Sequence, residues 1–232
     1  MVRPIHWLLV RTYLRVRVIH PERVPATGPV IFVPTHRSRW DAIVLQCLTR
    51  RLLRHVVSHD EFVWPQGWVM RHLGAFSLDT QRPTPALMRH CQDVLLGGEP
   101  LTVFPEGTIF YYPRRHVHPL KPGAAWLALG CQRHMPGTSI PVLPVRIVYS
   151  DRYPRFRTLV QLEVGDPIDA RVHLVKPHKE AIRSLTADLQ RALGDVVDES
   201  LAEMSPPRNP SAHGPACART FSRPEGFDSP SR

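Results

Sequence analysis

Short apolar runs alternate along this chain with segments of helical period, and that alternation restricts it to one class of fold. PVIFVP at 29–34, LTVF at 101–104, VLPVRIV at 142–148 and TLVQLEV at 158–164 are rich in Val, Ile, Leu and Phe and bounded by turn residues. Continuous runs of this kind are the mark of strands buried on both faces. RVRVIH at 15–20 alternates as a half-exposed strand does, and RHVVS at 54–58 and AFSL at 75–78 complete the set. Between them fall the helices. One runs from Arg39 or Trp40 to Arg50 with Ile43, Val44 and Cys47 inward, and EFVWPQGWVMRHL is a second with a proline break. A third spans 84–96 and stops at Gly97-Gly98, and PGAAWLALGCQRH at 122–134 is a fourth. The last, 177–200, places Ile182, Leu185, Leu189, Leu193 and Val196 on one face. The expectation is an α/β domain with a mixed, largely parallel central sheet flanked by helices.

That domain is expected over residues 15–204. Before it, residues 1–14 form a short helix with Pro4 in its first turn and Ile5, Leu8, Leu9 and Thr12 on one stripe. After it, 205–232 is rich in Pro, Ser, Gly and Arg, has almost nothing to bury, and is expected to be a disordered tail.

The formal net charge of +10 points to an anionic partner: nucleic acid, an anionic membrane surface or a phosphorylated substrate. Nucleic acid is not expected, because no recognition motif is present and part of the charge sits in the tail. The N-terminal helix sets Trp7, Leu8 and Leu9 beside Arg3, Arg11 and Arg15, the pattern of a helix lying in a membrane interface. A helix packing on the domain fits the same residues. Trp64, Trp68 and Met70 are a second candidate membrane patch, with core packing as the alternative. No apolar run is long enough to span a bilayer, since Arg11, Arg15 and Arg17 break the best candidate. Cys47, Cys91, Cys131 and Cys217 are scattered, which argues against a disulfide scaffold or a zinc site. His116 and His118 lack an evident third ligand, so no metal is expected.

The chemistry is concentrated where the strand at 29–34 ends. VPTHRSRWDA places His36 and Asp41 five positions apart, at a strand-to-helix junction where such sheets bind ligands. One reading is turn chemistry, with Thr35 or Ser38 capping the helix and Asp41 in its first turn. The other is a base and its orienting partner: a carboxylate on one imidazole nitrogen leaves the second as acceptor for a hydroxyl proton. FPEGT at 104–108 follows another strand. It reads as a glycine turn, or as a loop whose Gly107 and Thr108 amides bind an anion beside Glu106.

In order, the chain carries THRSRWDA, GAFSLDTQR, FPEGT, LKPGAAWLA and IPVLPVRI. Over roughly residues 15–170 this series resembles the glycerolipid acyltransferases of the lysophosphatidate (1-acylglycerol-3-phosphate) type. The resemblance implies His36 as base and Asp41 as its orienting group. It implies that Glu106, Gly107 and Thr108 bind the acceptor's phosphate-bearing glycerol end or shape that pocket. Pro141 and its apolar neighbours would line the acyl-donor site. The implied reaction moves a fatty acyl group from acyl-CoA or acyl-carrier protein to a lysophospholipid hydroxyl, without a cofactor. The implied setting is the cytoplasm, peripheral on the inner face of the cell membrane. The chain departs from the family pattern twice. Ile109-Phe110 stands where an arginine follows the threonine of the F-P-E-G-T motif, and Asp79 is followed by Thr80-Gln81 before Arg82. Arg82, Arg114, Arg115 and Lys121 are the substitutes for holding phosphate. A different acceptor, or a protein that only binds lipid, are the rival readings.

Overall fold

Val30–Pro34, strand β2, is buried at every residue, and the reason is its place in the middle of a sheet covered on both faces. The computed structural model describes residues 10–58, 74–78, 85–110, 117–151 and 153–204. Among them the strands are β1 (Arg15–Ile19), β2, β3 (Arg54–Ser58), β4 (Ala75–Leu78), β5 (Pro100–Thr102), β6 (Pro141–Tyr149), β7 (Leu159–Val164) and β8 (Ile168–Asp169). They form one sheet in the order β1-β7-β6-β2-β5-β3-β4, with β8 paired to β6. The pairings of β7 and β8 with β6 are antiparallel and the rest are parallel. This is the mixed, largely parallel α/β sheet expected from the alternation of elements.

The pleat divides the strand residues between two cores. Ile31, Val33, Leu101 and Val142 face helices α2 (Pro85–Leu96), α3 (Gly123–His134) and α4 (His178–Met204). Val30, Phe32, Leu143, Val145 and Ile147 face the opposite side, covered by Val44, Leu45, Leu48 and Leu53. On α4, Ala181, Leu185, Leu189 and Leu193 are buried at a spacing of one helical turn, with Ile182 at the margin. The side chain of Val196 lies outside the described residues.

The helix after β2 is shorter than its periodicity suggests. It is α-helical only as α1 (Asp41–Leu45), and a 3-10 turn over Gln46–Leu48 ends it. Ala42, Val44, Leu45 and Leu48 are its buried apolar residues, while Ile43 and Cys47 are half-buried. Strand β5 stops at Thr102 rather than 104. Val103 still donates to Phe32 O, and Phe104 then leaves the ladder toward the end of β2. Of the N-terminal segment, residues 10–13 are helical. Val10 and Leu14 enter the core there and Thr12 is exposed, so this last turn packs through a different stripe from the one expected. Residues 1–9, the Trp64, Trp68 and Met70 patch, and the tail from 205 lie outside the described residues. β1 is an edge strand whose Arg15 and Arg17 point outward, and such charges discourage pairing with a foreign strand.

Candidate active site

Because β2 and β6 run parallel, their carboxyl ends reach the same edge of the sheet, and Thr35 ties them together there. Its amide donates to Val145 O (3.0 Å) and its hydroxyl accepts from Ile147 N (3.0 Å). Thr35 therefore clamps two strands and does not cap the helix. The N-cap residue, Trp40, supplies no side-chain cap, and Ser38 Oγ accepts from the Trp40 amide, at 3.3 Å. Instead the first residue of the helix turns its carboxylate back onto the loop.

That carboxylate is Asp41, fully buried. Oδ2 accepts from the amides of Arg37 (2.6 Å) and Ser38 (2.8 Å) and lies 2.8 Å from His36 Nδ1. Oδ1 accepts from the Tyr149 hydroxyl at 2.7 Å. Burial first, and the Asp41 charge second, push the Tyr149 phenol well above its ordinary pKa, so it remains a neutral donor. With four donors converging on it, Asp41 is the acceptor toward His36, and the imidazole proton resides on Nδ1. Nε2 is then the nitrogen left with a lone pair.

The imidazole is 19% exposed and stacks on Phe104, with ring centroids 4.1 Å apart and planes at 26°. This places it directly beside the Pro105-Glu106-Gly107 turn. The bonds between loop and turn are close. His36 N donates to Glu106 Oε2 (2.7 Å), and Phe110 N donates to His36 O (2.9 Å). Arg37 Nη1 donates to Glu106 Oε2 (2.7 Å), to Oε1 (3.0 Å) and to His36 O (3.0 Å). His118 N donates to Glu106 Oε1 at 3.1 Å.

Both oxygens of Glu106 are thus occupied by protein donors, and its side chain is fully buried. It pins the histidine loop to the glycine turn and so shapes the site. Breaking a buried ion pair by removing one charge typically costs about 3–5 kcal/mol. Glu106→Gln keeps the shape and loses the charge, so thermal denaturation should show a fall of about 6–20 °C in Tm. An unchanged Tm would mean that the Arg37 pair contributes nothing.

Gly107 adopts φ 72°, and a Cβ there would lie 2.5 Å from Lys121 Nζ. The left-handed backbone favours glycine here, and a larger residue would also have to push aside the end of the exposed Lys121 side chain. Gly107, Thr108 and Lys121 are exposed, and the Lys121 ammonium has no ion-pair partner among the described residues. Ile109 and Phe110 are half-buried, and the Phe110 ring stacks on His118. The residue directly after the threonine, where the resemblance expects an arginine, is thus the half-buried Ile109, followed by the Phe110–His118 stack. Arg82, Arg114, Arg115 and His116 lie outside the described residues.

Pro141 is not brought to the site. It opens β6 beside Asp169, and its neighbour Val142 pairs with Ile31 near the start of β2. At about 3.3 Å per strand residue this is roughly 15–20 Å from the histidine loop. The proline beside the end of β2 is Pro144, paired with Val33.

Two contributors escaped the sequence reading. Arg37 lies inside the histidine motif, and the acidic PEG turn was its one signal. Tyr149 lies 108 residues from Asp41, and nothing local marks it. Other reactive groups are silent. Burial pushes the Cys47 thiol up to about 11 and the Cys91 and Cys131 thiols up to about 12, so none offers a thiolate near neutral pH. Burial pulls His55 down to about 3, and its Nε2 accepts from Gln46. No group of three or more metal-ligating side chains occurs among the described residues.

Three likenesses to known proteins bear on this geometry. The Acyltransferase family model matches residues 15–148. Glycerol-3-phosphate O-acyltransferase 1 of Saccharomyces cerevisiae is 30% identical over 100 residues, covering 40% of this chain and 13% of that protein. 1-acyl-sn-glycerol-3-phosphate acyltransferase of Streptococcus pneumoniae is 27% identical over 174 residues, covering 73% of this chain and 61% of that protein. The match thus spans less than two thirds of either relative. The crystal structure of the 1-acyl-sn-glycerophosphate acyltransferase of Thermotoga maritima shares the fold, with a TM-score of 0.67 at 22% identity over 88% of this chain and 82% of that one. The matched span runs from β1 almost to the end of β6 and holds the His36–Asp41 pair and the PEG turn, and the chain belongs to the acyltransferase family.

Proposed function

We infer that residues 15–204 form an O-acyltransferase domain that moves a fatty acyl group from a thioester to the free hydroxyl of a lysophospholipid. 1-Acylglycerol 3-phosphate is the first acceptor to test. The observation that carries this reading is the 2.8 Å contact between His36 Nδ1 and a buried Asp41, which leaves Nε2 as a base at a half-open edge. The pneumococcal relative, named for this acceptor, supports it.

The chemistry needs no acyl-enzyme, since a thioester is already activated. The acceptor hydroxyl oxygen attacks the thioester carbonyl carbon as its proton passes to His36 Nε2. The tetrahedral intermediate collapses, the carbon–sulfur bond breaks, and the thiolate takes the proton from the imidazolium. Ester and thiol leave, and the base is regenerated. Asp41 holds the tautomer and stabilises the imidazolium. The donor is acyl-CoA or acyl-carrier protein. The Lys121 ammonium, lying across Gly107, is the described cation placed to meet the acceptor's phosphate.

A second reading keeps the chemistry and changes the acceptor. Ile109 where a phosphate-holding arginine would stand, with the Phe110–His118 stack beside it, favours a head group that needs less charge. No helix among the described residues is long and apolar enough to cross a membrane. A peripheral site on the inner face of the cell membrane fits the lipid substrate.

Purified protein incubated with acyl-CoA and a mixed panel of lysophospholipids, glycerol 3-phosphate and amino-lipids should give a diacyl product by mass spectrometry, with 1-acylglycerol 3-phosphate consumed first. Consumption of another acceptor first supports the second reading. No acylated product from any pair of donor and acceptor rejects the function.

A further inference from the structure

The sheet edge that carries His36 also carries an exposed aromatic cluster that the proposed chemistry leaves unused. β6 and β7 are antiparallel, so the loop between them, 150–158, rises at the end where β2 stops. β1 begins at that same end, with Arg15 opposite Leu159. Tyr13 therefore meets both the loop and the helix after His36. Its ring stacks on Trp40 at 5.5 Å with an 11° interplanar angle, and it meets Phe156 edge-on at 5.9 Å. Trp40 is half-buried and packs on the core, while the rings around it are exposed. Phe156 is 64% exposed, Tyr153 66% and Tyr13 39%. Exposed arginines surround them: Arg39 beside Trp40, and Arg155 and Arg157 in the loop. The one acidic group of the loop, Asp151, is occupied by the Ser150 and Thr158 hydroxyls.

One of these arginines sits where glycine would be easier. Arg157 has φ 64°, and its amide donates to Tyr13 O at 2.7 Å. Only glycine adopts this left-handed conformation without steric cost. The loop thus retains a cation at a position whose backbone favours a residue with no side chain.

We propose that Tyr153, Arg155, Phe156 and Arg157 of this loop, together with Tyr13 and Trp40, form a docking edge for an anionic lipid bilayer, one that holds the His36 end of the sheet against the membrane surface. Aromatic rings with polar ends settle at the level of lipid head groups, and arginine binds their phosphates. Scattered exposed apolar residues are ordinary, but a stacked aromatic cluster rimmed by cations marks an interaction surface. The flat charge complementarity selects an anionic bilayer over a neutral one. The inference rests on the acceptor being a membrane lipid, and it names a contact separate from the N-terminal residues 1–9.

The test uses the full chain and vesicles of phosphatidylcholine with or without phosphatidylglycerol. Wild-type protein should sediment with the anionic vesicles and not with the neutral ones. The double variant Y153S/F156S should bind the anionic vesicles about tenfold or more weakly. R157G should lower partitioning by about fivefold, the contribution of one basic side chain near such a surface, while raising Tm by about 1–3 °C. Opposite movement of binding and stability separates docking from a merely structural role. Turnover on a water-soluble, short-chain lysolipid should be kept by all three proteins, and its absence in wild type would reject acyl transfer while leaving the vesicle result to stand. Equal vesicle binding by Y153S/F156S and wild type overturns the proposal. So does retention of duplex DNA that competes with the vesicles and is lost in Y153S/F156S.

Discussion

His36→Ala is expected to lower kcat by about 10²- to 10⁴-fold while the protein stays folded. The side chain is only partly buried, and the bonds that fix its loop belong to its backbone. The amide donates to Glu106 and the carbonyl accepts from Phe110 N and Arg37, and alanine keeps all three. What alanine loses structurally is the stack on Phe104, worth about 0.5–1.5 kcal/mol. Catalytically it loses the one imidazole among the described residues whose Nδ1 is held by a buried carboxylate at this edge. Steady-state kinetics with a thioester donor, alongside thermal denaturation, separate the two effects. A folded variant with wild-type turnover would remove His36 from the reaction.

The parts of this fold that could be read in advance are those decided by a residue's immediate neighbours. β2, β6 and β7 are legible because burial on both faces leaves no position for a polar side chain to break the run. β8 was not, since two residues carry no period. The early end of α1 also escaped notice, because the change to a 3-10 turn leaves the apolar pattern intact. The same division runs through the site. His36 and Asp41 share one turn, so their spacing foretold their contact. The bond from Tyr149 to Asp41 depends on how far β6 slides along β2, a register set by the whole core. Glu106 is marked by its motif as a group that binds the acceptor or shapes the pocket, and the motif alone does not choose between the two. Three amide and guanidinium donors converge on it only after the loop and turn fold together. Which stretch of IPVLPVRI lies beside the end of β2 depends on the pairing of Val33 with Pro144, a register that no local signal in the sequence gives.

Asp41→Asn should be the more damaging change at this site, because it alters the imidazole as well as the carboxylate. In the native protein Asp41 is reached only by donors: two amides, the Nδ1 proton and the Tyr149 hydroxyl. An asparagine has one acceptor oxygen and must aim its NH₂ group at some of these. If the oxygen stays with the amides of Arg37 and Ser38 it also stays with Nδ1, so the tautomer is kept, the charge that stabilises the imidazolium is lost, and the NH₂ faces Tyr149. If it turns to Tyr149, the NH₂ faces Nδ1 and the amides. Nδ1 can then satisfy it only as an acceptor, which moves the ring proton to Nε2 and abolishes the lone pair that receives the hydroxyl proton. A wrong tautomer in a comparable dyad costs about 10⁴ in kcat. KM should change little, since Asp41 is fully buried and touches no substrate. Stability should fall as well, by about 1–3 kcal/mol for each buried donor left unsatisfied. The expected signature is a collapse of kcat at near-constant KM with a lowered Tm. A kcat within tenfold of wild type would show that the carboxylate serves the loop's architecture and not the imidazole. The four-donor arrangement would then be a structural cap that happens to lie beside a histidine.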